Sequence, residues 1–471
     1  MSTFVVWLKE HKKKVVIIAC VAVFVRLILF VVILHVHNND LASWVGGAPA
    51  TYQQLATHDI NIAGDCYYET SANLLAGHGF SCELLPPYVQ YQYGVPLYPL
   101  FIAAILFLTH SYYVALLIQI LISVATCILG MYVADLYLSW AKAPTFVGII
   151  LALEPNQVLS PLNFASEVFF MPLFFTFLIM SALYFKTANP RYLLWAGSML
   201  GLATLIKPTT QYLPVLFMLF VLWQQRHRLT KKLFLHFAAF LGVFVLMLVP
   251  WLYNNYRQFG VVQLSTQAVR NPYMALLPSV LSLQTGESFD EAQAKLFQIH
   301  PNNFTFANSV GMTRYTVSQL ARYPVADLKV VLISVVTFFT ADDIATLYNA
   351  VGIQPDLHLD RPALQTLASS PILAVKTIGA YIGSNVVLIL LGRVFFIFLT
   401  FAFLYGLYAV YRAKRQDVVF NFAVLLVVYF MLTTVSNGFG VTARFRMPIE
   451  VFILAIAYAG IQLFFYAKRI S

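Results

Sequence analysis

The chain has 471 residues, of which 60% are hydrophobic and only 10% charged, and its mean hydropathy is +0.76. A soluble globular chain carries about 25% charged residues, so this composition excludes a string of soluble domains and reads as an all-α polytopic membrane protein. The net charge of +10 does not indicate nucleic acid, because the basic residues gather in short loops between apolar runs, where they orient helices and meet anionic lipid.

Taken in order, Lys9, Lys12, Lys13 and Lys14 precede an apolar run at 15–36. That run is longer than a signal-peptide core and reads as an uncleaved spanning helix with its basic end in the cytoplasm. Arg26 sits in its middle, where an arginine is either functional or satisfied by snorkelling or by a neighbouring helix. Residues 37–111 form a first outer loop with Asp40, Asp59, Asp65, Glu69 and Glu83. Within it, 64–79 places Tyr67, Tyr68, Ala72, Leu74 and Leu75 at helical spacing, with Glu69, Thr70 and Asn73 on the other face and Gly77 and Gly79 as the stop. This predicts a short amphipathic helix lying on the membrane surface, with Asp65 at its N-terminal edge as a cap or as a functional carboxylate. Cys66 and Cys82 share the loop and can pair there, whereas Cys20 and Cys127 lie inside apolar runs as packing residues.

The run at 95–108 is about 14 residues long and crowded by Pro96 and Pro99, too short to span comfortably. Read as re-entrant, it leaves Lys142, Lys186, Arg191 and the basic cluster 226–232 all in the cytoplasm. Further helices are expected at 112–136, 143–157, 168–185, 191–206, 210–224 and 233–252, then at 389–411, 418–435 and 449–467. The total is about ten spans, or about twelve if 328–340 and 371–388 both cross, with both termini cytoplasmic. Three units result: a membrane catalytic module at 1–252, an outer segment at 253–388 with an interfacial helix, and C-terminal membrane helices at 389–471.

This topology leaves charges at the outer membrane boundary that the positive-inside bias does not explain. Asp65 and Glu167 are carboxylates there, and Glu167 also suits the start of a helix. Lys207 and the pair Arg444 and Arg446 are cations there, suited to a phosphate head group, although Lys207 also fits a snorkelling helix end. His58, Asp59, Asp65 and His78 offer metal ligands without a recognised spacing, so no cofactor is expected and a divalent cation stays open. The chain has neither a GxxxxGK[ST] phosphate loop nor a nucleophilic serine elbow.

Several of these stretches together resemble one family. Gly64-Asp65-Cys66-Tyr67-Tyr68 through Gly77-His78-Gly79, followed by Pro96-Leu97-Tyr98-Pro99, resembles the first loop of the protein O-mannosyltransferase-like and lipid A aminoarabinose transferase-like enzymes, C-type glycosyltransferases that use polyprenyl-phosphate sugars. Pro155 with Ser166-Glu167, Gly201 through Lys207-Pro208, Pro250-Trp251 with Asn255 through Gly260, and Arg444-Phe445-Arg446-Met447-Pro448 continue the resemblance in order. One departure stands out: many relatives carry two adjacent acids in the first loop, where this chain has Asp65 followed by Cys66. The resemblance implies Asp65 as general base with Glu167 in support, and Lys207, Arg444, Arg446, Arg257 and His78 as substrate-binding residues. It implies an inverting transfer from an undecaprenyl- or dolichyl-phosphate sugar to a glycan, lipid or protein acceptor, on the outer face of a cell inner membrane. A polytopic transporter or flippase for lipid-linked sugars is the alternative, although the two outer segments are unlike each other and show no repeated halves.

Overall fold

A computed structural model describes residues 2–38, 66–83, 85–140, 142–226, 230–299, 304–353, 370, 372, 387–414 and 417–470. Among them the chain is helical, and the one strand-like pairing is the isolated bridge between Ser81 and Gln90. Seven helices are long and apolar enough to cross a membrane: Lys12–Val36, Tyr112–Leu138, Glu167–Thr187, Lys231–Phe259, Val387–Arg412, Val418–Gly440 and Met447–Phe465. The number rises to nine if two bent pairs each count as one span. These counts are of the described residues only, and two features set them there. The helices Pro190–Thr204 and Leu213–Gln224 have 15 and 12 residues, and the expected helix 143–157 is broken.

The break falls at Glu154. Ala143–Leu153 ends there and Pro155–Leu159 begins, with 59° between the two parts. Pro155 forces its predecessor out of the helical region, and Glu154 has φ −62° and ψ 130°. Pro250, by contrast, sits within one helix that runs from Lys231 to Phe259. An interior proline is tolerated there because neighbouring groups in a membrane bundle re-satisfy the freed carbonyl. The short helix Leu97–Thr109 covers about 20 Å at 1.5 Å per residue, short of the roughly 30 Å of a bilayer core.

The core is aromatic. Phe170, Phe174, Phe175 and Phe177 of Glu167–Thr187 are fully buried, and Phe217, Phe240 and Phe422 close around them. Such rings each bury a large area and interlock edge to face. The helices Val387–Lys414 and Met447–Ile470 pack closely because glycines face each other. A Cβ on Gly406 would lie 2.2 Å from the Ile456 carbonyl oxygen, and one on Gly460 would lie 2.3 Å from that of Ala402. At the far end of the bundle from Glu167, Lys186 Nζ donates to the Leu136 carbonyl (3.1 Å) and Lys414 Nζ to that of Leu138 (2.6 Å). These lysines therefore gather at one end of the molecule, where the last carbonyls of Tyr112–Leu138 favour cations.

The segment 260–350 is a stack of short helices, from Gln267–Asn271 to Ile344–Ala350, docked on the first loop. Gln92 joins the two: its carbonyl accepts from Thr266 N (2.8 Å) and its side-chain oxygen from Phe306 N (2.7 Å).

Candidate active site

Glu167 begins the helix Glu167–Thr187 and is 2% exposed. Lys207 follows the helix Pro190–Thr204 in an extended conformation, because Pro208 stops the helix from continuing. Its ammonium meets Glu167 Oε1 at 2.5 Å. Arg444 belongs to the short turn Ala443–Phe445, and its Nε lies 3.1 Å from the same oxygen. Positions separated by 40 and by 277 residues thus converge on one carboxylate. The two cations are 20% and 43% exposed at their side chains, so the positive edge of the trio is open while the acid is closed in. Both cations keep part of their side-chain surface exposed, and donors of this kind suit an anionic oxygen.

Neighbouring contacts fix the trio. The Tyr67 hydroxyl bonds Ser166 Oγ at 3.2 Å, tying the first loop to the residue before Glu167. Leu97 N donates to the Leu205 carbonyl at 3.0 Å, and the Tyr429 hydroxyl donates to the Thr209 carbonyl, so the strap carrying Lys207 is held from both sides. Next to Arg444 stands Asp343, which adopts a left-handed conformation at φ 54°. Burial pushes its carboxyl up, opposed by a hydrogen bond from the Ala443 amide and by the charges of Arg446 and Arg444. Asp342 pairs with Arg393 (Oδ2 to Nε, 2.9 Å) and caps Ile344 N at 3.0 Å.

The other site residues expected from the sequence fall elsewhere. Asp65 lies outside the described residues, as do His58 and Asp59. Cys66, the next residue, directly precedes the helix Tyr67–Leu75. Arg446 is 1% exposed, with its Nε and Nη1 hydrogen-bonded inside the protein and its Nη2 buried without a hydrogen-bond partner among the described residues. His78 stacks on Tyr88 with ring centroids 3.7 Å apart, and its Nδ1 lies 3.4 Å from Asn73 Oδ1. Arg257 is exposed near the end of Lys231–Phe259 and donates to the Tyr253 hydroxyl at 3.4 Å. Among the described residues no hydrogen bond or ion pair joins His78 or Arg257 to the Glu167 trio. Nor do three His, Cys, Asp or Glu side chains converge there to hold a metal.

The helix after Asp65 also differs from its expected form. Gly77, at φ +80°, ends it as expected. Its polar face, however, is buried: Glu69, Thr70 and Asn73 are at most 8% exposed. Cys66 and Cys82 form a disulfide that folds the following segment over this face, and Asn73 Nδ2 donates to the carbonyls of Ser81 (2.9 Å) and Glu83 (2.8 Å). Burial pushes the Glu69 carboxyl up.

A second polar cluster, which the sequence reading missed, lies inside the bundle. Glu154 caps Gln157 N at 2.7 Å, Gln157 Nε2 donates to Glu450 Oε2 at 3.1 Å, and Arg446 Nε donates to Glu450 Oε1 at 3.2 Å. Arg26 closes it from below. Its guanidinium donates to Ser123 Oγ (2.9 Å) and to the carbonyls of Ala22 (3.2 Å), Leu151 (3.2 Å), Ala152 (3.0 Å) and Gln157 (3.0 Å). It therefore satisfies the carbonyls left open by the helix break. Of the two roles open to Arg26 in the sequence, bonding to neighbouring helices is the one realised. Prolines directly after Glu154 and two residues before Glu450 were the available signal: each marks a helix N-terminus, where an acid is favoured.

Known proteins were compared with this chain. No curated protein matches it in sequence. Among solved structures, the archaeal oligosaccharyltransferase AglB from Archaeoglobus fulgidus, in complex with an inhibitory peptide and a dolichol-phosphate, aligns at a TM-score of 0.48 and 14% identity over 98% of this chain and 51% of that one. The chain therefore spans about half the length of that protein. ArnT from Cupriavidus metallidurans, bound to undecaprenyl phosphate, aligns at 0.34 and 13% over 84% of this chain and 72% of that one. Residues 94–253, which contain Glu167 and Lys207, match the family model described as dolichyl-phosphate-mannose-protein mannosyltransferase, and over that stretch the resemblance read from the sequence holds.

Proposed function

We propose that this protein is a membrane glycosyltransferase that moves a sugar from a polyprenyl-phosphate donor to a hydroxyl or amine acceptor on the outer side of a cell inner membrane. The observation that carries this reading is the convergence of two partly exposed cations, Lys207 and Arg444, on the buried Glu167, at the end of the bundle away from Lys186 and Lys414. The match of residues 94–253 supports the same class.

In this reading the donor's phosphate meets Lys207 and Arg444, and Glu167 holds the two cations in register. The acceptor's oxygen or nitrogen attacks the anomeric carbon while its proton passes to Asp65. The bond from the anomeric carbon to the phosphate oxygen breaks, and the polyprenyl phosphate leaves with the electron pair. The negative charge growing on that oxygen is what the two cations stabilise. Attack from the face opposite the leaving group inverts the anomeric centre in one step. The donor is already activated, so no nucleotide enters.

The test is Asp65→Asn in the purified protein. Asparagine keeps the shape but takes no proton. Binding of polyprenyl-phosphate sugar is expected to persist while transfer falls by about two to four orders of magnitude, the usual worth of a general base. Near-normal transfer would remove Asp65 from the mechanism and move the role of base to Glu167. Mass spectrometry of surface glycans and envelope glycolipids, with and without the protein, identifies the sugar and the acceptor.

A further inference from the structure

Arg444 and Arg446 are two residues apart, and both read from the sequence as phosphate ligands. Their surroundings separate them. The guanidinium carbon of Arg446 lies 4.2 Å from the centroid of the Phe396 ring. Its Nη1 donates to the carbonyls of Phe338 (3.1 Å), Phe339 (3.2 Å) and Ala341 (3.0 Å), the last turn of Pro324–Thr340 and the residue after it. Its Nε is on Glu450, and Glu450 is in turn held by Gln157. At 1% exposure this guanidinium is covered on every side, and its Nη2, which has no hydrogen-bond partner among the described residues, is buried as well. What Arg446 does reach is the turn that carries Arg444: its amide bonds the Ala443 carbonyl at 2.9 Å, closing Ala443–Phe445.

We propose that Arg446 is a positioning residue that touches no substrate. It clamps the Ala443–Phe445 turn between the C-terminal carbonyls of Pro324–Thr340 and Glu450, and so sets Arg444 against Glu167 and the donor's phosphate. A buried guanidinium suits this task because its five donors hold a fixed planar fork, which a lysine cannot reproduce. The part concerning phosphate rests on the function proposed above; the part concerning Arg444 and Glu167 does not.

The experiment has two arms, both on the full chain in detergent or nanodiscs. The first uses thermal unfolding alone. The coupling between Glu167 and Arg444 is measured with Glu167→Gln, Arg444→Ala and the double variant, in the native background and again with Arg446→Lys. Glu450→Gln serves as the background if Arg446→Lys does not fold. The coupling is expected to be present in the native background and lost in the altered one; its survival there overturns the proposal. The second arm measures binding of undecaprenyl phosphate. Arg444→Ala and Arg446→Lys are each expected to weaken it about tenfold, the scale of one charge-assisted hydrogen bond, and the double variant no more than Arg444→Ala alone. Losses that multiply would make Arg446 an independent phosphate ligand and overturn the proposal, as would native-like binding by Arg446→Lys. If the unaltered protein does not bind undecaprenyl phosphate, the proposed function fails, while the first arm still decides the role of Arg446.

Discussion

The molecule holds two charged clusters that share one short motif and are opposite in design. In the first, Glu167 is buried and its partners Lys207 and Arg444 are partly open to solvent. In the second, Arg446 and Glu450 are 1% and 2% exposed, and Gln157, Glu154 and Arg26 complete a network with no open edge. The first keeps its cations where an anion can reach them. The second pairs most of its polar atoms within the protein, as a membrane interior favours, although Glu154 Oε1 and Arg446 Nη2 are buried without a hydrogen-bond partner among the described residues. One short motif, Arg444-Phe445-Arg446, supplies an arginine to each, so residue type says little about role until burial is known.

The sharpest way to break this comparison is to remove a charge from each cluster and compare stability. Arg26→Leu strips the carbonyls of Leu151, Ala152 and Gln157 of their donor inside the bundle. The expected loss is about 3–5 kcal/mol, seen as a large fall in melting temperature or as failure to insert. Arg444→Ala removes a half-exposed partner, and its expected cost is at most about 1 kcal/mol. Equal losses for the two variants would erase the distinction between a structural and an accessible cluster.

A second prediction concerns the open cluster alone. Lys207→Met and Arg444→Ala are expected to raise the KM for the polyprenyl-phosphate donor by about tenfold each, with the acceptor's KM nearly unchanged. Steady-state kinetics with either substrate varied will decide it. Equal effects on both substrates would count against phosphate contact.

The smallest effect expected is at Glu69, a buried acid with no ion-pair partner among the described residues. Burial raises its pKa in the folded state, so the folded protein binds this proton more tightly than the unfolded chain. Stability therefore falls as pH rises from the ordinary carboxyl value, about 4.3, through the raised one. Glu69→Gln removes that loss. The variant is expected to be more stable than the native protein by about 1 kcal/mol near pH 7, with the difference vanishing near pH 4. A constant difference across pH would mean that the carboxyl is not the cause.

Much of this architecture was legible in the sequence. Apolar runs of 20 residues or more can only be spanning helices in a chain this poor in charge, and the helix Leu97–Thr109 was marked as too short by the same count. Glu167, Lys207 and Arg444 stood in the sequence among a larger set of boundary charges that also held Asp65 and Arg446, and only the structure brings these three together. The break at Glu154 was half legible: Pro155 was visible, but a proline inside an apolar run either kinks a helix or is absorbed, as at Pro250, and only the surroundings decide which. The burial of Glu69, Thr70 and Asn73 was not legible, because it depends on a segment folded back over them by a disulfide whose partners the spacing did not dictate.

Composition and apolar run length set the class of solvent, most of the helices and the list of candidate charges. Those follow from local composition, since each residue's transfer cost from water to lipid is its own. The tertiary structure decided which charges meet. The fate of Arg446 depends on carbonyls more than 100 residues away in Pro324–Thr340, and that of Arg444 on an acid 277 residues away. A guanidinium's role is set by what fills the few ångströms around it, and that filling is a property of packed helices rather than of any single stretch of chain.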